Sequence, residues 1–336
     1  MRKYIIHRHH IYILASLLAL VVLFTVVNIT LENIFSQQPA TFGVSYSPEF
    51  AVELGLNPRE TYLDMLTNLR VKNIRLNAYW NEIEPAKGQF NFTELDWYIS
   101  EAEKNQASVI LAVGYKLPRW PECRKPEYLR NLSDLSYLRN LQLIMVEEVI
   151  RYYNQNPTVK IFQIENEPLL QFGACPYPDK AYFEREIALV KALTQKPILV
   201  TDSGELESWI TPMQKSDIFG TTLYRKVNNP VFGELFYPLP PSFYRIKSEL
   251  VRKIFAPHNQ KTIVAELQAE LWAGQEVADI PIEKQLQKFT LTQFQSNVNF
   301  AGRTGFSEFY LWGVEWWYYL AKNGHPEYLD YAKTLF

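Results

Sequence analysis

The sequence predicts an α/β chain: a (β/α)8 TIM barrel preceded by one N-terminal transmembrane helix. Three observations carry that reading. Eight short apolar runs of β type alternate with longer stretches of helical periodicity, residues 41–336 have the length of one such barrel, and an uncharged segment of membrane-spanning length stands near the start.

In chain order, residues 1–10 form a basic head with Arg2, Lys3 and Arg8, expected on the cytoplasmic side. Residues 11–29 read IYILASLLALVVLFTVVNI, without a charge. At 1.5 Å per helical residue this run covers roughly 28 Å, close to the hydrocarbon thickness of a bilayer. A cleaved signal peptide is the alternative, but Thr30 to Gln38 offer no clean small-residue cleavage pattern. An uncleaved signal-anchor is therefore expected. Basic charge ahead of the span, with only Glu32 soon after it, puts the bulk of the chain outside the cytoplasm, and residues 30–40 read as a stalk. If the segment is cleaved, the protein is secreted.

The strand candidates are Phe42 to Ser47, Asn73 to Trp80, Ser108 to Gly114, Lys160 to Glu167, Pro197 to Asp202, Ile218 to Tyr224, Thr262 to Glu266 and Gly305 to Trp312. Helical patterns fill the intervals. Asn57-Pro58-Arg59-Glu60 opens a helix through Asn68 with a capping side chain and a proline in the first turn. Thr93 is read as the cap of Leu95 to Lys104, and Leu135–Tyr153, Ala181–Leu193, Phe243–Phe255 and Pro281–Asn297 follow. Strands separated by helices run parallel, and continuous apolar runs such as Val109 to Val113 suit a sheet covered on both faces. An open doubly wound sheet is disfavoured because no Gly-x-Gly-x-x-Gly follows the first strand.

Composition narrows the chemistry. With 34 basic against 36 acidic side chains there is no surplus of positive charge for nucleic acid. Five histidines, three of them at the extreme N-terminus, and two cysteines leave little for a Ser-His-Asp or Cys-His hydrolase or a structural zinc site. No metal or cofactor is expected. Carboxylates and aromatics remain, and in a barrel the functional groups sit at the C-terminal ends of strands. There the fourth strand delivers Asn166-Glu167-Pro168, and the seventh ends on Glu266. With three β/α units between them, the two carboxylates are expected to face each other across the barrel mouth.

Asn-Glu-Pro on strand four with a glutamate on strand seven resembles clan A of the retaining glycoside hydrolases, the cellulase-like barrels of families 5, 39 and 42. The resemblance spans Phe42 to about Leu320. It implies that Glu167 is the acid/base and Glu266 the nucleophile of a double displacement. By the same resemblance Arg75 lies beneath the nucleophile, Tyr224 donates to it, Asn166 binds the sugar 2-hydroxyl and Trp312 floors the subsite of the cleaved sugar. Trp80, Trp120 and Trp272, with Trp316 and Trp317, also follow strand ends, and indole faces suit the C–H faces of sugars. The expected protein is a retaining β-glycosidase acting on an extracytoplasmic glycan or oligosaccharide. A transglycosylase using the same site and a catalytically silent carbohydrate-binding surface protein are the alternatives. Its expected partners are a carbohydrate and, through the N-terminal helix, the membrane. Oligomeric state is left open.

Several positions carry a second reading. Glu165 competes with Glu167 for the acid role because alternate strand residues share a face. Glu270 is either a loop residue or a distant sugar contact, Arg75 a simple pairing partner, and Tyr224 and the tryptophans core residues. Many cellulase-like members carry a histidine after strand three and another two residues before the strand-six tyrosine. Here those places hold Gly114-Tyr115-Lys116 and Thr222. Cys123 and Cys175 lie in neighbouring loops and are either bonded or two separate thiols. The connection Arg225 to Pro241, with Phe232, Phe236, Tyr237 and its prolines, is expected to wall the cleft.

Overall fold

A computed structural model describes residues 2–36, 39–229, 233–272 and 275–336. Its strands, in chain order, are β1 (Thr41–Ser45), β2 (Asn73–Ala78), β3 (Ser108–Val113), β4 (Val159–Ile164), β5 (Ile198–Asp202), β6 (Ile218–Leu223), β7 (Lys226–Asn229), β8 (Gly233–Phe236), β9 (Lys261–Gln268) and β10 (Glu308–Trp312). All but β7 and β8 close one parallel barrel, in the order β1-β10-β9-β6-β5-β4-β3-β2. These eight are the strands expected from sequence, with ends shifted by a few residues.

The barrel closes around a largely apolar interior, although β2 alternates apolar Ile74 and Leu76 with polar Asn73, Arg75 and Asn77. Ile110, Leu199, Ile218, Ile263 and Tyr310, with Ile161, form an inward cluster that fills its interior. The outward residues pack with the surrounding helices into the main core. Asn57 caps the helix Pro58–Thr67 as expected, accepting from the amides of Arg59 and Glu60. Thr93 does not cap its helix. It is the first helical residue, its amide donating to Asn91 Oδ1 at 3.0 Å. The single helix expected over Pro281–Asn297 is two, Ile282–Lys288 and Leu291–Gly302, because Thr290 caps the second by accepting from the Gln293 amide.

The N-terminal segment is helical from Arg2 to Phe35, so the expected stalk is helix over its first residues. Its last turns dock on the barrel, with Arg303 Nη1 3.1 Å from Glu32 Oε2 and Phe35 under the Arg245 guanidinium. Farther back, Leu18, Val21, Leu23 and Phe24 are exposed. Among the described residues no helix is long and apolar enough to cross a membrane, so the span expected over 11–29 is not supported by the structure. The side chains of Ile11, Ile13, Leu14, Leu17 and Leu20 in that span, and positions 37 and 38 of the stalk, lie outside the described residues.

After β6 the chain forms the antiparallel hairpin β7–β8, a paired element where only a proline-restricted loop was expected. Lys226, Val227 and Glu234 of the hairpin border a small recess with Trp272 and Gln268. Phe232 lies outside the described residues.

Candidate active site

The register of β9 positions the first carboxylate. Against β6 the pairing runs from Thr221–Val264 to Thr222–Glu266, and against β10 from Phe309–Val264 to Leu311–Leu267, so β9 carries one extra residue at this level. Such a bulge re-aims the side chain beside it. Glu266 is turned into the mouth, where Arg75 Nη1 donates to its Oε1 at 2.8 Å and the Tyr224 hydroxyl donates to its Oε2 at 2.9 Å. Arg75 is itself fully engaged. Its Nε donates to Gln163 Oε1 at 2.7 Å and its Nη2 to Asn166 Oδ1 at 2.8 Å, so one guanidinium ties β2, β4 and β9 together.

Glu167 follows β4 with φ near 45°, and Glu165 has φ near 58°. Both are left-handed, so the chain past Ile164 is no longer pleated and the alternate-residue rule fails there. This separates the two glutamates. Glu165 turns outward to accept from the amides of Tyr115 and Lys116, and Gln142 Nε2 donates to both it and Glu186. The acid role considered for Glu165 is thereby removed from the mouth. It borders instead a side cavity of about 70 Å³ shared with Gln142, Glu186 and both cysteines.

The Glu167 amide donates to Thr201 Oγ1 at 3.0 Å, and Lys116 Nζ donates to the carbonyls of Glu167 and Leu170 at 2.9 and 2.8 Å. Lys116 therefore fixes the main chain on which Glu167 sits. Burial, then the charge of Glu266, then that of Glu122 push the Glu167 carboxyl well above its ordinary value, opposed by Lys116. Glu266 is thus the charge that acts most strongly on Glu167, and Asn166, beside Glu167 in the chain, shares the Arg75 guanidinium with Glu266.

Three expectations about aromatics need correction. Trp80 is buried at 1% exposure in the short helix Trp80–Ile83, its indole N–H donating to Glu84 at 2.7 Å, and offers no face to a ligand. Trp316 and Trp317 are likewise buried, donating to Gln285 Oε1 and the Ala269 carbonyl. Following a strand end fixes a residue's height in the barrel but not its direction. Trp120, Phe172, Trp272 and Tyr224 do form a row of neighbouring rings, with centroids 6.4, 6.0 and 4.8 Å apart in that order. Tyr115 packs edge-on against Trp80.

Sequence reasoning missed Gln163, Arg119, Glu122 and Glu315. Glu122 accepts from Asn166 Nδ2 at 3.3 Å, its Oε2 lies 3.4 Å from Lys116 Nζ, and burial pushes its carboxyl up to about 7. The only available signal was the run of charged residues among prolines in Leu117-Pro118-Arg119-Trp120-Pro121-Glu122-Cys123. The two cysteines are bonded, joining the loops after β3 and β4 across a separation of 52 residues. Closing such a loop contributes about 4 kcal/mol in the chain-entropy account.

Burial also pushes Glu165 and Glu315 up to about 7, and Glu186 well above the ordinary range. The unfolded chain sheds these protons from 4.5 upward while the folded chain still holds them, so stability falls as pH rises from there to about 7 and beyond. Thermal melting is expected to occur at lower temperature at pH about 7.5 than at pH about 5, and a rise across that window would contradict the assignment.

Residues 45–184 match the family model for glycoside hydrolase family 42, described as Beta-galactosidase. No curated protein matches the chain. Among solved structures, the β-galactosidase from Bacillus circulans sp. alkalophilus is similar at 13% identity over 82% of this chain and 50% of its own, with a TM-score of 0.54. The β-galactosidase from Halorubrum lacusprofundi is similar at 13% identity over 81% and 52%, with a TM-score of 0.56. A GH5_18 protein from Bifidobacterium longum subsp. longum in complex with Manb1-4GlcNAc gives 12%, 81% and 68%, with a TM-score of 0.58. The chain spans about half the length of the two β-galactosidases. At these identities the structures speak for the fold. Together with the family match they bear out the resemblance to clan A and support a glycoside hydrolase.

Proposed function

We propose that this chain, a relative of the clan A glycoside hydrolases by family match and fold, is a retaining β-glycosidase with Glu266 as nucleophile and Glu167 as acid/base. The observation that carries the reading is the opposite treatment of the two carboxyls. Arg75 and Tyr224 both donate to Glu266, which suits an ionised nucleophile, while burial and the charge of Glu266 keep a proton on Glu167.

In the first step Glu266 bonds to the anomeric carbon as the glycosidic C–O bond breaks, and the Glu167 proton passes to the leaving oxygen. Esterification then removes the Glu266 charge, one of the forces holding the proton on Glu167, so Glu167 becomes a better base for the second step. There it takes a proton from water as the water oxygen bonds to the anomeric carbon and the Glu266 ester bond breaks. Asn166 is suited to the 2-hydroxyl beside this centre, Trp312 to the cleaved sugar, and Trp272 and Trp120 to sugars farther out. The test is proton NMR of the first product from an aryl β-glycoside. The β-anomer is expected before mutarotation, and an initial α-anomer would overturn the double displacement.

The uncharged run from Ile11 to Ile29, after Arg2, Lys3 and Arg8, supports a chain anchored in a membrane with the barrel outside the cytoplasm. The full chain is then expected to stay in the membrane pellet through alkaline carbonate extraction, whereas residues 41–336 alone are released. Extraction of the uncleaved full chain would contradict anchorage.

A further inference from the structure

We propose that Arg119 closes the glycone side of the site after one sugar, so that the enzyme removes single uncharged residues from a chain end. The inference rests on the glycosidase reading above and adds its mode of action and substrate class. The segment after β3 does not stay above its own strand. Above β2 the Tyr79 hydroxyl donates to the Pro118 carbonyl at 2.9 Å. Above β1 Arg124 pairs with Glu49 at 2.7 Å. Farther on, the Arg119 guanidinium lies between the rings of Phe50, after β1, and Trp312, at the end of β10, at 3.8 and 4.2 Å. It ends in ion pairs with Glu270, after β9, and with Glu315, after β10, at 3.0 Å. In barrel order these contacts cross five adjacent strand ends, β3-β2-β1-β10-β9.

The crossing is built to stay. Lys116 and Cys123 pair as an isolated bridge at its base, and the disulfide to Cys175 fixes the same point. Gly313, with φ of 136°, lets Glu270 approach where any Cβ would meet the Glu270 Cβ at 2.7 Å. The Arg119, Glu270 and Glu315 side chains are 10, 6 and 0% exposed. A guanidinium so buried is retained only with its carboxylates, and removing one partner is costly.

With Trp312 read as the floor of the cleaved sugar's subsite, Arg119, stacked on Trp312, and Phe50 beyond it take the space a second glycone sugar would need. The opposite side is open. Trp120 at 66% and Phe172 at 38% exposure continue the row from Tyr224 and Trp272 outward, giving a leaving saccharide ring faces to lie on. Charge selects as well. Arg75, Lys116 and Arg119 each face a carboxylate, of Glu266, Glu122, and Glu270 with Glu315, so none of these three cations is free for an anionic glycone.

The test compares 4-nitrophenyl β-galactoside, β-glucoside, β-mannoside and β-glucuronide with the β-lactoside, β-cellobioside and β-mannobioside. For the wild type, the first products from a disaccharide glycoside are expected to be one free monosaccharide and the nitrophenyl monosaccharide, with nitrophenol appearing after a lag, and the glucuronide is expected to stay intact. Release of intact disaccharide as the first product, or hydrolysis of the glucuronide, would overturn the inference while leaving the glycosidase reading standing. No cleavage of any of these compounds, with no covalent labelling of Glu266 by a fluoroglycoside, would overturn both. In Arg119→Ala combined with Glu270→Gln, which neutralises one of the two carboxylates that loss of Arg119 would otherwise leave unpaired, intact-disaccharide release relative to monosaccharide release is expected to rise about tenfold or more. An unchanged ratio in a double variant that melts cooperatively would also overturn it.

Discussion

Replacing Glu266 with alanine is expected to lower kcat on aryl β-glycosides by on the order of 10⁵-fold, about 7 kcal/mol of transition-state stabilisation. The loss is large because the carboxylate held by Arg75 and Tyr224 is the group that bonds to the sugar in this reading. Truncation leaves a space beside a buried guanidinium, a setting that accepts a small anion. Azide is therefore expected to restore turnover and to yield the α-glycosyl azide, since it attacks from the face Glu266 used. A variant retaining more than about one percent of wild-type kcat would remove Glu266 from the chemistry. The same change strands Arg75, so a lowered melting temperature is expected beside the kinetic loss.

Glu167→Gln has the second-largest expected effect, and it depends on the leaving group. With alkyl or sugar leaving groups, which need a proton, kcat/KM is expected to fall by about 10² to 10⁴, and with dinitrophenolate, which leaves without one, far less. Equal losses across that series would contradict the acid role. Stability moves the other way. The Glu167 carboxyl is raised well above 4.5 in the fold, so wild-type stability is present in full below that value and is lost as pH rises through the folded value. Gln carries no such dependence, and the variant is expected to melt higher than wild type near pH 7 and above, with the difference vanishing towards pH 4.5.

The barrel was legible in the sequence because its determinants are local. Apolar runs such as Val109 to Val113 and capped starts such as Asn57-Pro58 each specify an element without reference to the rest of the chain. Glu167, Glu266, Arg75, Asn166 and Tyr224 were named as a set from the resemblance to clan A, and in the fold Arg75 bonds Glu266 and Asn166 while Tyr224 bonds Glu266. What failed depended on direction. Glu165 and Glu167 were given one face, yet both adopt left-handed backbone that no residue type at those positions announces. Trp80 was placed at the cleft, but the helical turn it begins points its indole inward to Glu84. The break at Thr290 was hidden because both helices keep the same apolar spacing. Arg119 was invisible for a different reason. Its partners, Phe50, Glu270, Trp312 and Glu315, lie far away in sequence, and only the closed fold brings the loop after β3 across to them.

The central claim is that one buried carboxylate, held by Arg75 and Tyr224, becomes covalently bonded to the sugar. Incubating the wild type with 2-deoxy-2-fluoro-β-glycosides bearing dinitrophenolate, then mapping the labelled peptide by mass spectrometry, reads that bond directly. The account predicts a single adduct on Glu266. Attachment to another residue, or turnover of unfluorinated glycosides with no adduct trapped at all, would contradict it.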